Sequence, residues 1–141
     1  MANENPYPLP QPTRFTASFW DACQRESLQV SSCTTCDHLF LPGGPVCPKC
    51  WSDDLGTQAV CGRGEVFSFV IYRRTYHPEI PAPYVVAIID LEEGVRFVSN
   101  LVGCEPETVF IGMQVQVIFE QVSGFTLPRF IPVDSSTLAT Q

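Results

Sequence analysis

From about residue 57 onward, hydrophobic and polar positions follow strand-like rules. The stretch GRGEVFSFVIYRRT (62–75) is β-branched and aromatic, with Gly62 and Gly64 at its start, where a bulge or sharp coil suits a small barrel. HPEIPAP (77–83) reads as a loop. YVVAIIDLEE (84–93) is nearly continuous in apolar residues, the pattern of a strand buried on both faces or lying beneath a partner. A turn at Glu93 and Gly94 leads into VRFVSNLVG (95–103), where Val95, Phe97, Ser99 and Leu101 alternate with Arg96, Val98, Asn100 and Val102. After CEPETVFIG (104–112), QVQVIFEQV (114–122) places Val115, Val117 and Phe119 on one face, and RFIPV (129–133) completes the set. Five strands in this order, with a break between the third and fourth, predict a mainly β chain ending in a five-stranded Greek-key barrel of the OB type.

The N-terminal part follows other rules. Pro6, Pro8, Pro10 and Pro12 recur at every second position, which enforces an extended arm. A short helix is expected next, capped by Thr16 or Ser18, with Phe15, Phe19 and Cys23 on one face and Trp20 and Ala22 beside them. That face either covers the rest of the chain or meets another protein.

Between helix and barrel, Cys33, Cys36, Cys47 and Cys50 form two Cys-x-x-Cys pairs separated by ten residues. Each pair puts two sulfurs on one tight knuckle, and two knuckles supply the four thiolates of a tetrahedral zinc site. In CTTCDHLFLPGGPVCPKC (33–50), Leu39 to Leu41 are expected to form one arm of a hairpin and Gly43, Gly44 and Pro45 its turn, with Pro48 stiffening the second knuckle. A closed four-thiolate cage leaves no open position for water or substrate, so the metal is structural. Iron in the same cage would make a rubredoxin-like electron carrier, an alternative the spacing leaves open. The expected organisation is therefore an arm and helix over 1–28, a zinc ribbon over 29–56, the barrel over 57–134 and a flexible tail over 135–141.

Composition narrows the function. The 141 residues carry seven cysteines and a formal charge of -7. Four cysteines assigned to metal leave Cys23, Cys61 and Cys104, an odd remainder that argues against a disulfide framework and for a reducing, cytoplasmic compartment. No apolar run reaches the length of a membrane span, and the first residues lack the pattern of a secretory signal, so no membrane partner is expected. The acidic balance counts against nucleic acid as a partner. Seven of the eight basic residues are Arg, whose forks suit carboxylates, phosphates and subunit interfaces. The cluster Tyr72, Arg73, Arg74 and Tyr76 either edges the barrel or faces a partner or the phosphates of a ligand.

The order of features resembles the DUF35 family of acyl-CoA-associated proteins. The matching residues are Phe19-Trp20, CTTC, FLP (40–42), CPKC, GRGEVFSF (62–69), PYVVAIIDLEEGVR (83–96), NLVGCEP (100–106) and IGMQVQVIFE (111–120), together covering roughly residues 15–133. Asp37 and Trp51 depart from the Gly common after each knuckle in that family; Asp tolerates a left-handed backbone, while Trp51 leaves the second knuckle's shape open. The resemblance implies an N-terminal helix, a rubredoxin-like zinc ribbon and an OB fold. It also implies a small accessory subunit of a thiolase-superfamily enzyme, acting with that partner on CoA thioesters by thiolytic or retro-aldol cleavage or acyl transfer, with Phe19 and Trp20 among the partner-facing residues.

The residues agree with a non-catalytic role. A thiolase needs a Cys nucleophile activated by His. Here His38 sits beside the first knuckle and His77 in a proline-rich loop, and neither is near Cys104 in sequence. Two other readings stand beside the accessory subunit: a free-standing acyl-CoA or lipid-binding module, and an OB-fold nucleic-acid binder, the latter disfavoured by charge.

Overall fold

The structure, a computed structural model, describes residues 9–41 and 43–133. Most of the proline-rich arm and the expected tail at 135–141 therefore lie outside the described residues. One helix, α1 (Ala17–Gln24), precedes eight strands: β1 (Gln29–Cys33), β2 (Leu39–Phe40), β3 (Leu55–Ala59), β4 (Arg63–Tyr72), β5 (Tyr84–Leu91), β6 (Arg96–Leu101), β7 (Gln114–Val122) and β8 (Phe125–Pro132). The first three form a small sheet in the order β2-β1-β3, and the last five close into a barrel in the order β4-β5-β6-β8-β7. The five barrel strands are those read from the sequence.

Thr16 is the N-cap residue of α1, but its hydroxyl does not cap the helix. It accepts instead from the Thr13 backbone N–H at 2.9 Å, so the turn before the helix takes the oxygen that the first helical turn would have used. Ala22 and Cys23 are fully buried. The Phe19 ring stacks on Phe97 of β6 at 5.9 Å, and Phe97 in turn lies 5.9 Å from Phe130 of β8. Trp20 meets Phe125 edge-on at 6.4 Å. The aromatic face of the helix thus packs on its own barrel, while Phe19 and Trp20 stay half-exposed and Phe15 exposed.

The barrel closes because β4 is long enough to pair with two neighbours. Its start, Arg63 to Glu65, pairs with β7, while Gly64 to Tyr72 pairs with β5. At Gly64 a Cβ would sit 2.9 Å from the Leu91 Cα and closer still to the Asp90 carbonyl, so only Gly lets the two backbones approach. Of the bulge or sharp coil expected at the glycines, Gly62 takes a left-handed backbone at φ 78°, whereas the bulge lies at Phe67: Val66 pairs with Ile89 and Ser68 with Ile88, leaving Phe67 unopposed. The extra residue keeps Phe69 and Ile71 packed on the core and turns Val70 and Tyr72 outward. β5, nearly all apolar in sequence, buries one face within this chain: Val85, Ala87, Ile89 and Leu91 are buried while Tyr84, Val86, Ile88 and Asp90 are half-exposed. β7 and β8 join at Ser123 and Gly124, both with positive φ, a two-residue hairpin turn. β8 starts four residues before RFIPV, because Pro128 inside it masks the strand pattern. The segment between β6 and β7 carries a single 3-10 turn, Pro106–Thr108, not foreseen in sequence.

The ribbon also differs from the expected hairpin. Leu39 and Phe40 pair with Ser32 and Ser31 of β1, upstream of the first knuckle, so the knuckle itself is the turn and Gly43, Gly44 and Pro45 lie in a loop. β3 pairs with all five residues of β1 and crosses the expected 56/57 boundary; the barrel's first strand begins at Arg63. β1 ties the two parts together. Leu28 and Val30 belong to the barrel's core with Val66, Ile89 and Phe130, whereas Cys33, Phe40 and Cys47 form a second cluster with Cys36 and Leu55.

Candidate functional site

The two knuckles are built alike. The Cys33 N–H donates to the His38 carbonyl at 2.9 Å and the Asp37 N–H to the Cys33 carbonyl at 2.8 Å; the Cys47 N–H donates to Ser52 and the Trp51 N–H to Cys47, both at 2.8 Å. The residue after each second cysteine turns left-handed, Asp37 at φ 63° and Trp51 at φ 65°. Trp51 therefore adopts the backbone the knuckle demands despite its bulk, and its indole stays exposed.

These loops aim four sulfurs at one point. The Cys33 and Cys50 sulfurs are 3.5 Å apart, those of Cys36 and Cys47 3.7 Å, and all four lie within 4.8 Å of one another. A tetrahedral ion with metal–sulfur bonds of about 2.3 Å sets sulfurs about 3.8 Å apart, close to the spacing of these two pairs. Electrostatics agrees. The Cys36 N–H lowers the Cys33 thiol to about 6; at Cys47 desolvation pushes up, but the N–H groups of Cys50 and Lys49 and the Cys36 and Cys50 side chains together pull it down. For Cys36 and Cys50 the N–H groups of His38 and Ser52 pull down, but lost hydration and the neighbouring sulfurs push harder and raise both, Cys50 to about 12. Four sulfurs this close ionise together only around a cation. The residues fit zinc, which would be held by Cys33, Cys36, Cys47 and Cys50 and would lock the two knuckles together. With all four positions taken by protein, it has a structural role.

The remaining thiols are not activated nucleophiles. Burial pushes Cys23 up to about 11, and desolvation raises Cys61 and Cys104. Cys61 and Cys104 also feel carboxylates, Glu93 and Glu92 in one case and Glu105 in the other.

The other candidate residues fall into two places. At the end of β4, Tyr72 stacks on Tyr84 at 4.8 Å and meets Tyr76 edge-on at 5.9 Å, and the Arg74 guanidinium lies 5.8 Å from the Tyr76 ring. Arg73 reaches across to Glu107 at 3.1 Å and holds that carboxyl below its ordinary value. Phe19 and Trp20 sit apart from this cluster, on the helix against β6 and β8. Beside them run two shallow apolar hollows, about 300 Å³ and about 170 Å³, that share Phe19, Trp20, Phe97 and Val98. Arg96 lines the first and Arg129 the second. The Arg96 guanidinium lies 3.7 Å over the Phe67 ring, and Arg129 donates to the Asn100 side-chain oxygen at 2.6 Å. From the sequence, Arg96 and Arg129 stand only among the arginines whose forks suit carboxylates, phosphates and subunit interfaces, and Val98 only as one position of the β6 alternation; their place beside Trp20 depends on how the helix docks.

Residues 20–56 match the family described as "ChsH2, rubredoxin-like zinc ribbon domain", and residues 57–120 the family described as "ChsH2, C-terminal OB-fold domain". A "DUF35 domain-containing scaffold protein" of Methanothermobacter thermautotrophicus is 39% identical over 101 residues, covering 70% of this chain and 76% of the relative. The chain belongs to the DUF35 family. A solved chain titled "Ltp2-ChsH2(DUF35) aldolase" superposes with a TM-score of 0.82 at 38% identity, covering 88% of this chain and 98% of that one. A "Probable enoyl-CoA hydratase alpha subunit" of Thermomonospora curvata is 39% identical over 126 residues, 89% of this chain but 40% of that protein. The chain thus spans well under half of that hydratase subunit, and its family module occurs both inside longer subunits and in shorter scaffold proteins. The ribbon–barrel pair and the four-cysteine cage are those of the DUF35 family. No helix among the described residues is long and apolar enough to cross a membrane.

Proposed function

We propose that this chain is a zinc-containing, non-catalytic subunit that works with a thiolase-like partner on CoA thioesters, in carbon–carbon cleavage or acyl transfer. The observation that carries the reading is the likeness to the aldolase-associated chain, which extends over 98% of that chain rather than over the ribbon or barrel alone. The site chemistry supports it from a second direction. The cage is closed to substrate, and the pKa values of Cys23, Cys61 and Cys104 are raised, so in this reading the cysteine nucleophile for acyl chemistry comes from the partner. In this reading the zinc holds the ribbon's shape, the helix and barrel present a surface to the partner, and Tyr72, Arg73, Arg74 and Tyr76 face the partner or the CoA phosphates. A cytoplasmic setting keeps the four thiols reduced and metal-loaded.

The test is reconstitution. The partner is obtained by co-purification and identified by mass spectrometry, and CoA-thioester turnover is measured for the partner alone, this chain alone, and the two together. The accessory reading expects activity or stability of the partner to depend on this chain, and no turnover by this chain alone. Turnover by the isolated chain, or binding of CoA esters by a lone monomer with no partner, would replace it with an enzyme or a free binding module. Arg73→Glu with Arg74→Glu is expected to weaken the complex or its KM for CoA esters; full retention of both removes the cluster from the site.

A further inference from the structure

The chain between the two knuckles passes against the start of the helix. It leaves Phe40, which packs in the cysteine cluster, and returns at Cys47, one of the four sulfurs, so the cage holds the loop at both ends. Within that loop, a Cβ on Gly43 would sit 2.5 Å from the carbonyl oxygen of Phe15, two residues before α1, and 3.1 Å from the Ser31 hydroxyl of β1. The two backbones touch, and no side chain fits between them. The gap where Phe15, Ser18 and Phe19 face Leu41 and Gly43 amounts to about 10 Å³, at the limit for a single water.

The helix needs such support. α1 has eight residues, fewer than an isolated helix requires to hold itself together in water. Its first turn carries no acidic residue and receives no side-chain cap, because the Thr16 hydroxyl bonds Thr13 instead. The second half is anchored separately, with Ala22 and Cys23 fully buried and the helix lying against β8. The first turn meets the barrel through Phe19 and the ribbon through Phe15, so the Gly43 loop shares in holding it.

We propose that metal occupancy of the cage governs the order of the first turn of α1, with the Gly43 loop as the link. With the four thiolates bound, the second knuckle is closed and Gly43 is held against Phe15. Without metal, Cys47 is released, the loop loses its anchor at that end, and residues 15–20 fray while the C-terminal half of the helix stays on the barrel. The hollow of about 300 Å³, which takes Thr16, Phe19 and Trp20 from the helix side and Leu41 and Gly43 from the loop side, then loses its walls. The ribbon acts as a clamp on the helix. Such coupling is reciprocal, so whatever loosens the first turn weakens metal binding by the same factor. It does not depend on the accessory-subunit reading and holds for the chain on its own.

Two measurements on the full chain test this. Amide exchange with and without zinc is read at Ala17, Phe19 and Trp20, whose N–H groups donate to Thr13 and Thr16, and at Glu26 and Ser27, which donate to Cys23 and Ala22. Zinc removal is expected to speed exchange at the first three about tenfold and to leave the last two unchanged. Equal protection of the first three in both states overturns the proposal. Loss at Glu26 and Ser27 as well overturns a device confined to the first turn. Zinc affinity, from competition with a chromophoric chelator, is then compared for wild type, Gly43→Ala, Gly44→Ala and Asp21→Pro. Gly43→Ala drives a Cβ into the Phe15 carbonyl, whereas Gly44 has open space around it and controls for replacing a loop glycine. Asp21→Pro breaks α1 from an exposed position that lines neither the gap nor the hollow. Gly43→Ala and Asp21→Pro are each expected to weaken zinc binding about tenfold, and Gly44→Ala to leave it unchanged. Wild-type affinity in Asp21→Pro overturns the link even if Gly43→Ala binds more weakly, because strain in the loop then acts on the cage directly. The exchange measurement uses no variant and decides the question if either substitution prevents folding.

Discussion

Removing the metal should melt one part of this molecule and spare the other. The ribbon's apolar cluster consists of Cys33, Phe40 and Cys47 with Cys36 and Leu55 against it, so cysteines make up most of it. Phe40 and the half-buried Leu55 together contribute at most about 3 to 6 kcal/mol of burial. Zinc binding in comparable small modules supplies about 10 to 16 kcal/mol, several times more. The barrel's core, from Val66 and Ile89 to Phe130, contains none of the four ligands. Chelation, or Cys47→Ser, is therefore expected to release the knuckles without unfolding the barrel. Amide hydrogen exchange resolves the two. Protection should be lost at Cys33, Asp37, Cys47 and Trp51, whose N–H groups close the knuckles, and kept at Val102 and Val117, which donate to Phe130 and Gly62 in the barrel. Knuckle amides that stay protected without metal would refute a metal-dependent ribbon. Simultaneous loss at Val102 and Val117 would refute the separation of the two cores.

Three further predictions concern the barrel. Phe130 is fully buried and touches the Phe97–Phe19 stack, so Phe130→Ala should cost about 3 to 5 kcal/mol, read from chemical denaturation. Gly64→Ala drives a Cβ into the β5 backbone at Asp90 and Leu91 and should destabilise by about 1 to 3 kcal/mol or more, whereas Gly44→Ala, with open space around it, should change little in the same assay. The hydrogen bond from Arg73 holds Glu107 below its ordinary 4.5, so the pair adds stability above that pH, and the contribution is lost as pH falls through the depressed value. NMR titration should find the Glu107 pKa returned to its ordinary value in Arg73→Ala, with little change in melting temperature because both side chains are exposed.

Much of this fold was legible because its signals are local. Alternation in β6 and β7 and the apolar run of β5 fixed three barrel strands, and the Cys-x-x-Cys spacing fixed the cage. What escaped was decided by pairing at a distance. QVSSC and LGTQA look like unremarkable polar segments, yet they become β1 and β3 because each finds the other across the knuckles. The bulge at Phe67 rather than at Gly62 or Gly64 reflects the need to keep both Val66 and Phe69 on the core, a demand set by β5. The hollows beside Trp20 exist only once α1 lies over β6 and β8, so Arg96 and Val98 read as ordinary outward positions until then.

The central claim is that this chain acts as the zinc-bearing accessory half of an acyl-CoA enzyme. Native mass spectrometry of the tagged full-length chain purified from its own cells, with metal analysis on the same sample, tests that most directly. The account predicts a stoichiometric complex with a thiolase-like protein and one zinc per copy of this chain. A lone chain that carries its zinc but no partner under conditions that preserve complexes would contradict it.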